Sequence, residues 1–196
     1  MTTQPKKKST ITPAEYLTME RSALDTKHEY FDGEIFAMTG AQRNHVGINV
    51  NLTGELRNGF KSDQAHCKVW SNDMRVKIEA GYVYPDIVIT CGDPQFEDNE
   101  FDTLTNPVVI IEILSKSTEV FDRGKKFDFY QNIPTLQEYI LVSQDKYRVE
   151  QYIRQEQQNK WEYRSLKNIE QILELKSVNY ELPLSEIYWD IKFESE

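Results

Sequence analysis

Val108-Val109-Ile110-Ile111-Glu112-Ile113-Leu114 is an apolar, largely β-branched run broken by one carboxylate. Such a run, over Pro107 to Leu114, reads as a central strand covered on both faces. Upstream, Tyr82 to Thr90 has the same character, and in Tyr84-Pro85-Asp86-Ile87-Val88 its single charge is Asp86. Burying an ionised carboxylate without a partner costs roughly several kcal/mol even after relaxation. A divalent cation shared by Asp86 and Glu112 is the economical compensation, because hard cations take oxygen ligands. The alternatives are an exposed strand end, or an arginine partner for each acid.

Helices and further strands surround these two runs. Thr12-Pro13-Ala14-Glu15 has the form of a capping box with proline in the first turn of a short helix. Asp32-Gly33 reads as a turn, followed by a strand over Glu34 to Met38. A helix is predicted from about Asn44, its cap, to Phe60, with Val46, Val50, Thr53, Leu56 and Phe60 at helical spacing. Asp73 to Glu79 alternates, with Met74, Val76 and Ile78 on one face and Asp73, Arg75, Lys77 and Glu79 on the other, as in a half-buried strand. A polar loop spans Gly92 to Asn106, and a helix about Thr118 to Asn132. Glu138 to Val142 is a strand, Tyr147–Arg154 and Trp161–Leu166 form a hairpin-like pair, and Leu184 to Tyr188 makes one helical turn. The sum is an α/β sandwich over residues 11–196, behind a disordered tail over 1–10.

The helix after Glu112 adds a third feature. Asp122, Lys126 and Tyr130 fall at i, i+4 and i+8 and share one face. A lysine delivered there is within reach of a metal-bound water or a phosphate, with Lys116, Arg123 and Lys125 adding positive charge. The plainer reading is a solvated amphipathic helix with an Asp–Lys pair. Glu34 and His45 are further candidates, the first pointing toward the same site, the second placed to meet an anion at a helix start. His28 and His66 have no partner that the sequence names.

Composition limits the rest. The formal net charge of −9 over 196 residues argues against a generic nucleic-acid coat protein, since phosphate contacts need Lys and Arg. A nuclease of this composition would need its basic residues gathered on one face. Met1 to Ser9 is lysine-rich with no apolar stretch behind it, unlike a signal peptide. No run approaches the ~20 apolar residues of a membrane span. Cys67 and Cys91 form no metal or disulfide pattern and read as free thiols of a reducing, cytoplasmic compartment. No Gly-rich phosphate loop, nucleophile elbow or zinc spacing occurs.

The chain resembles the Uma-type restriction-endonuclease proteins of the PD-(D/E)XK nuclease superfamily. The carriers are Thr12-Pro13-Ala14-Glu15-Tyr16-Leu17, His28-Glu29-Tyr30-Phe31-Asp32-Gly33-Glu34, Ser71-Asn72-Asp73-Met74-Arg75-Val76, Tyr84-Pro85-Asp86-Ile87-Val88, Glu112-Ile113-Leu114-Ser115-Lys116-Ser117-Thr118 and Asp122-Arg123-Gly124-Lys125-Lys126-Phe127. The resemblance implies a restriction-endonuclease-like mixed β-sheet flanked by helices, and Mg2+ (or Mn2+) on Asp86 and Glu112. The superfamily's lysine stands two residues after that glutamate. Leu114 occupies the position here, which implies that Lys126 has taken the lysine's place. Glu34 then stands in for the extra acid of many superfamily members.

The expectation is a metal-dependent endonuclease cutting DNA as a homodimer. Asp86, Glu112 and the Ile113 carbonyl hold the metal, Lys126 acts on water or phosphate, and Asp122 and Tyr130 hold the lysine. The rival expectations are a nuclease-fold module that binds nucleic acid or a protein without turnover, and a structural homo-oligomer. Fold alone does not decide among them.

Overall fold

The computed structural model describes residues 10–62, 66–155 and 160–193. Apart from Thr10, the tail expected to be disordered lies outside the described residues. Helix α1 (Pro13–Ser22) starts on the expected capping box: Thr12 N donates to Glu15 Oε2 (2.8 Å) and Glu15 N to Thr12 Oγ1 (3.3 Å). Strands β1 (His28–Phe31) and β2 (Glu34–Ala37) form a hairpin about Asp32 and Gly33, whose φ values of 47° and 87° suit the Asp-Gly pair of such a turn. Helix α2 (Arg43–Ser62) follows. It turns Ile48, Asn49, Leu52, Leu56 and Phe60 inward, whereas Val46 and Val50 are exposed. The expected stripe was therefore half right: the buried face is rotated from the one Val46 and Val50 mark. Asn44 lies inside the helix, where its side chain donates to Gln144 O (3.2 Å) and Lys192 O (3.0 Å).

Next come β3 (Cys67–Ser71), β4 (Arg75–Ile78), β5 (Gly81–Val83) and β6 (Ile87–Cys91). The single strand expected over Tyr82 to Thr90 is thus two strands, in different sheets. Pro85 explains the break, because it lacks an N–H and restricts Tyr84, so the run cannot continue one ladder. Asp86 falls at this crossing between sheets. Arg75, expected on the polar face of its strand, is only 2 % exposed. It bonds Asp102 (2.6 Å), Thr103 Oγ1 (2.9 Å) and Tyr84 Oη (3.0 Å). The loop over 92–106 contains a short strand, β7 (Thr103–Leu104), paired in parallel with β4.

Strand β8 (Val109–Leu114) is buried along its whole length. The helix expected next is one winding in three parts: α3 (Glu119–Phe121), a π-helical turn (Asp122–Lys126) and α4 (Phe127–Tyr130). Then come β9 (Glu138–Ser143), β10 (Val149–Arg154) and β11 (Trp161–Leu166), with β10 and β11 paired as the expected hairpin. A small hairpin of β12 (Ile172–Leu175) and β13 (Tyr180–Pro183), unforeseen in the sequence, precedes α5 (Leu184–Ile187).

The main sheet has the order β11-β10-β9-β8-β6-β3, and the second β2-β1-β5-β4-β7. In the main sheet β8 and β9 run parallel and the other neighbours antiparallel. Alternation along β8 sends Val109, Ile111 and Ile113 toward α2 and α5, and Ile110 and Leu114 toward Tyr130 and the second sheet. Glu112 shares the latter side. Helices cover both faces, so the fold is the mixed α/β one expected.

Cys67 and Cys91 are not free thiols. They stand opposite each other in the antiparallel β3–β6 register and are joined as a disulfide. Their separation of 24 residues carries no local signal; only the pairing of the two strands brings them together. With the bond formed, the thiols no longer indicate a reducing compartment. Among the described residues, no helix is long and apolar enough to cross a membrane.

Candidate metal and phosphodiester site

Five elements meet at one cleft of about 1020 Å³. The break before β6 supplies Asp86, and β8 supplies Glu112. The π-helical turn supplies Asp122 and Lys126, β1 supplies Glu29, and the first turns of α2 supply His45. Asp86 and Glu112 interlock through the main chain: Ile113 N donates to Asp86 Oδ2 (2.7 Å) and Asp86 N to Glu112 Oε2 (3.4 Å). Peptide N–H and C=O of one strand residue point to the same edge. The Ile113 carbonyl therefore faces the same gap, on the side of His45. His45 Nε2 also lies 3.3 Å from Asp86 Oδ2.

Lys126 is 5 % exposed and Glu112 3 %. The lysine Nζ is 2.9 Å from Glu112 Oε1, 3.1 Å from Glu29 Oε1 and 3.8 Å from Asp122 Oδ1. Tyr130 Oη donates to Glu112 Oε1 (2.8 Å), so the same oxygen meets an ammonium and a phenol. Burial alone would lower the lysine pKa, but Glu112, Glu29 and Asp122 outweigh it and hold the group charged. Burial pushes the Glu112 carboxyl up, opposed by Lys126 and reinforced by Asp122, Asp86 and Glu29. Asp122 is raised too, by burial first, with Lys126 opposing. For His45, desolvation is opposed and overcome by Asp86 and the Ile113 backbone, leaving its pKa raised.

Glu29, Asp86, Glu112 and Asp122 face one lysine and one imidazole. The raised carboxyls of Glu112 and Asp122 reflect this crowding of acids in a partly desolvated cleft, which a divalent cation would relieve. Among the described residues, no group of three or more His, Cys, Asp or Glu side chains is placed to hold an ion by itself. Two carboxylates and a main-chain carbonyl leave positions for water, which suits Mg2+, a cation that dehydrates reluctantly. The donor set is all oxygen and fits such an ion.

The sequence candidates thus separate. Asp86, Glu112, Ile113, Asp122, Lys126, Tyr130 and His45 come together. Glu34 is exposed on β2, opposite Phe31, and does not line the cleft. Glu29 does, and it also accepts from Tyr84 N (3.0 Å). Its signal was a charge embedded in the apolar strand His28–Phe31, ahead of the turn rather than beside it. Asn49 was also missed. Buried on α2, it donates to Asp86 O (3.2 Å) and Asn72 Oδ1 (3.1 Å), and accepts from Ser71 Oγ (2.9 Å), fixing the main chain at Asp86. A polar residue on the face of Leu52 and Leu56 was its signal. His28 pairs with Glu20 (3.0 Å), away from the cleft lining.

A mixed sheet flanked by helices is the restriction-endonuclease-like arrangement. A family model described as "Uma2: Putative restriction endonuclease" matches residues 13–185, and the chain belongs to that family. Two relatives, both described as uncharacterized proteins of Synechocystis sp., are similar over most of their lengths. One is 40% identical over 144 residues, covering 72% of this chain and 80% of the relative. The other is 34% identical over 185 residues, covering 93% and 94%. A crystal structure described as a putative nuclease belonging to DUF820, from Anabaena variabilis, superposes with a TM-score of 0.75. It covers 91% of this chain and 97% of its own at 19% identity, a likeness of fold. Restriction-endonuclease-like families generally use divalent metals.

Proposed function

We propose that the chain is a metal-dependent endonuclease that hydrolyses DNA phosphodiester bonds at the Asp86–Glu112 cleft. The observation that carries this reading is the position of Lys126. Its ammonium lies against Glu112 although residue 114 is leucine. That supports an active centre with a relocated lysine over a nuclease fold that has lost its chemistry. Asp86, Glu112 and the Ile113 carbonyl would hold Mg2+ or Mn2+. When bound, the ion supplies Lewis acidity toward a phosphoryl oxygen and a more acidic water. Lys126 orients the attacking water or offsets charge growing on the phosphate. Glu29 and Asp122 aim the lysine, Tyr130 fixes the Glu112 rotamer, and His45 and Asn49 fix Asp86.

Cutting both strands takes two such centres, so we extend the reading to a homodimer; the half-exposed Tyr147 and Tyr163 support it as contact residues. Sedimentation as a monomer at micromolar concentration removes that extension alone.

The test of the main reading is cleavage of supercoiled plasmid with magnesium and with manganese. Nicked or linear product is expected from the wild type, and none from Asp86→Asn. No product from the wild type in either metal overturns the reading.

A further inference from the structure

We propose that the DNA backbone is held by Arg57, Lys61 and Lys68, along a basic strip that leads to the cleft across the outer face of α2 and the open edge of β3. The inference deepens the nuclease reading and rests on it.

The cleft itself is poorly built to attract a polyanion. Its lining includes Asp25, Glu29, Asp73, Asp86, Glu112 and Asp122 against Lys27, Lys116 and Lys126. The whole chain carries −9. Phosphates must be met elsewhere, since Lys and Arg contacts to them supply most of the sequence-independent affinity.

A second groove, of about 400 Å³, meets this need. Among the described residues it is lined by Arg57, Lys61 and Lys68 with Phe60, Val69 and Trp70 beside them, and by no carboxylate. All three cations are exposed, and none has an ion pair with a described residue. Cations with no ion-pair partner among the described residues, grouped in an acidic protein, suit an external anion.

One side of α2 runs from the cleft to the groove. Val46, Val50, Gly54, Arg57 and Lys61 recur at spacings of three and four and so share one side of α2. Val46 and Val50 line the cleft at one end, and Arg57 and Lys61 line the groove at the other. Between them Gly54 faces open space. Glu55 is the sole acid of α2. It lies on the flank of Gly47, Asn51 and Gly59, which the carboxy-terminal segment covers through Ile191, Ile187 and Tyr180. From Val46 to Lys61 the helix rises about 22 Å at ~1.5 Å per residue. That is about six nucleotides of one strand at ~3.4 Å each.

β3 contributes peptide donors. It is an edge strand of the main sheet. Gly92 N donates to His66 O (2.7 Å) and Asn72 N to Asp86 O (3.0 Å), which turns the even-numbered peptide groups of β3 toward β6. The N–H groups of Cys67, Val69 and Ser71 consequently face the open edge. Main-chain N–H groups are ordinary phosphate donors.

The experiment is fluorescence anisotropy with a labelled DNA duplex of about 20 base pairs, in EDTA, titrated between about 50 and 200 mM salt. The triple variant Arg57→Gln, Lys61→Gln, Lys68→Gln is compared with a control triple of the same charge change, Lys146→Gln, Lys160→Gln, Lys167→Gln, at exposed positions outside the cleft and the groove. The expected result is at least a tenfold loss of affinity in the first. Its salt slope should fall by about 2–3, at ~0.9 per phosphate contact. The control should bind within about twofold of wild type and keep the wild-type slope. Equal weakening in both triples, an unchanged slope in the first, or no binding by the wild type overturns the inference. Each readout is made without metal or turnover, so a failed plasmid assay and a failed strip are separate results.

Discussion

Asp86 is anchored on the strand that carries Glu112: its Oδ2 accepts from the Ile113 amide at 2.7 Å, one residue beyond the second acid. Asp86 immediately precedes β6 and Glu112 lies on β8, adjacent strands whose ladder pairs Ile87 with Ile111 and ends there. Past that point the Ile113 amide of β8 bonds the Asp86 side chain instead of a strand partner. The cleft is opened by the end of a ladder.

Lys126→Met should abolish plasmid cleavage and also destabilise the fold. Removing one member of a buried charge cluster costs about 3–5 kcal/mol because the partners stay behind uncompensated. Magnesium should raise the melting temperature of the variant more than that of the wild type, since the cation offsets the carboxylates that the lysine leaves. Lys125→Met, at an exposed position one step and about 100° around the helix, should leave melting unchanged and cleavage nearly so. Matching losses in both variants would reassign the lysine to a general basic patch.

Acid should weaken the fold through Asp102. Hydrogen bonds from Arg21, then Thr103 and Arg75, hold its carboxyl well below the ordinary range, against the opposing effect of partial burial. A carboxylate whose folded pKa is depressed contributes stability above its unfolded value, near ~4, and loses it as pH falls through the folded value. Asp102→Asn should therefore be less stable than wild type at neutral pH, by about 1–3 kcal/mol, partly because buried Arg75 loses its ion-pair partner. Urea melts at falling pH should show the two curves converging below ~4. A constant gap down to strong acid would contradict the assignment.

The Cys67–Cys91 bond ties the edge strand to the sheet across 24 residues of chain. A bond closing a loop of this size stabilises by about 2–4 kcal/mol. Cys67→Ser with Cys91→Ser should lower the urea midpoint, and wild type in reductant should melt with the double variant. Two titratable thiols in the denatured, unreduced wild type would show that the bond does not form.

The acids were legible because burial makes a lone charge in an apolar run conspicuous, and that signal is local. The face shared by Asp122, Lys126 and Tyr130 was legible for the same reason: helical spacing is a short-range property, and it survives the π-helical turn well enough for Lys126 and Tyr130 to meet one oxygen of Glu112. What the sequence hid depends on register and on sheet membership. Glu29 and Glu34 both flank the Asp32-Gly33 turn. The hairpin pairing puts Glu34 beside the turn and Glu29 farther along, opposite Phe36. Tyr82 to Thr90 reads as one strand because both halves are apolar; the proline marks a possible break, but only the second sheet shows where the first half goes. Val46 and Val50 misled for a different reason. They are apolar residues that line a cleft rather than a core, and periodicity does not distinguish the two.

The parallel pairing of β8 with β9 governs when this centre can come into being. Parallel neighbours cannot be joined by a tight turn and need a crossover. Here the crossover is the segment that carries Asp122, Lys126 and Tyr130 back over Glu112. The remaining members, Glu29, His45 and Asp86, arrive from far earlier in the chain. Contacts of such wide sequence separation must await the loop closures that create them, and folds dominated by them condense slowly. Asp86, Glu112, Asp122 and Lys126 lie within residues 86–126, but Glu29 and His45 join them from the amino-terminal part of the chain, so the complete centre exists only once those long-range closures are made.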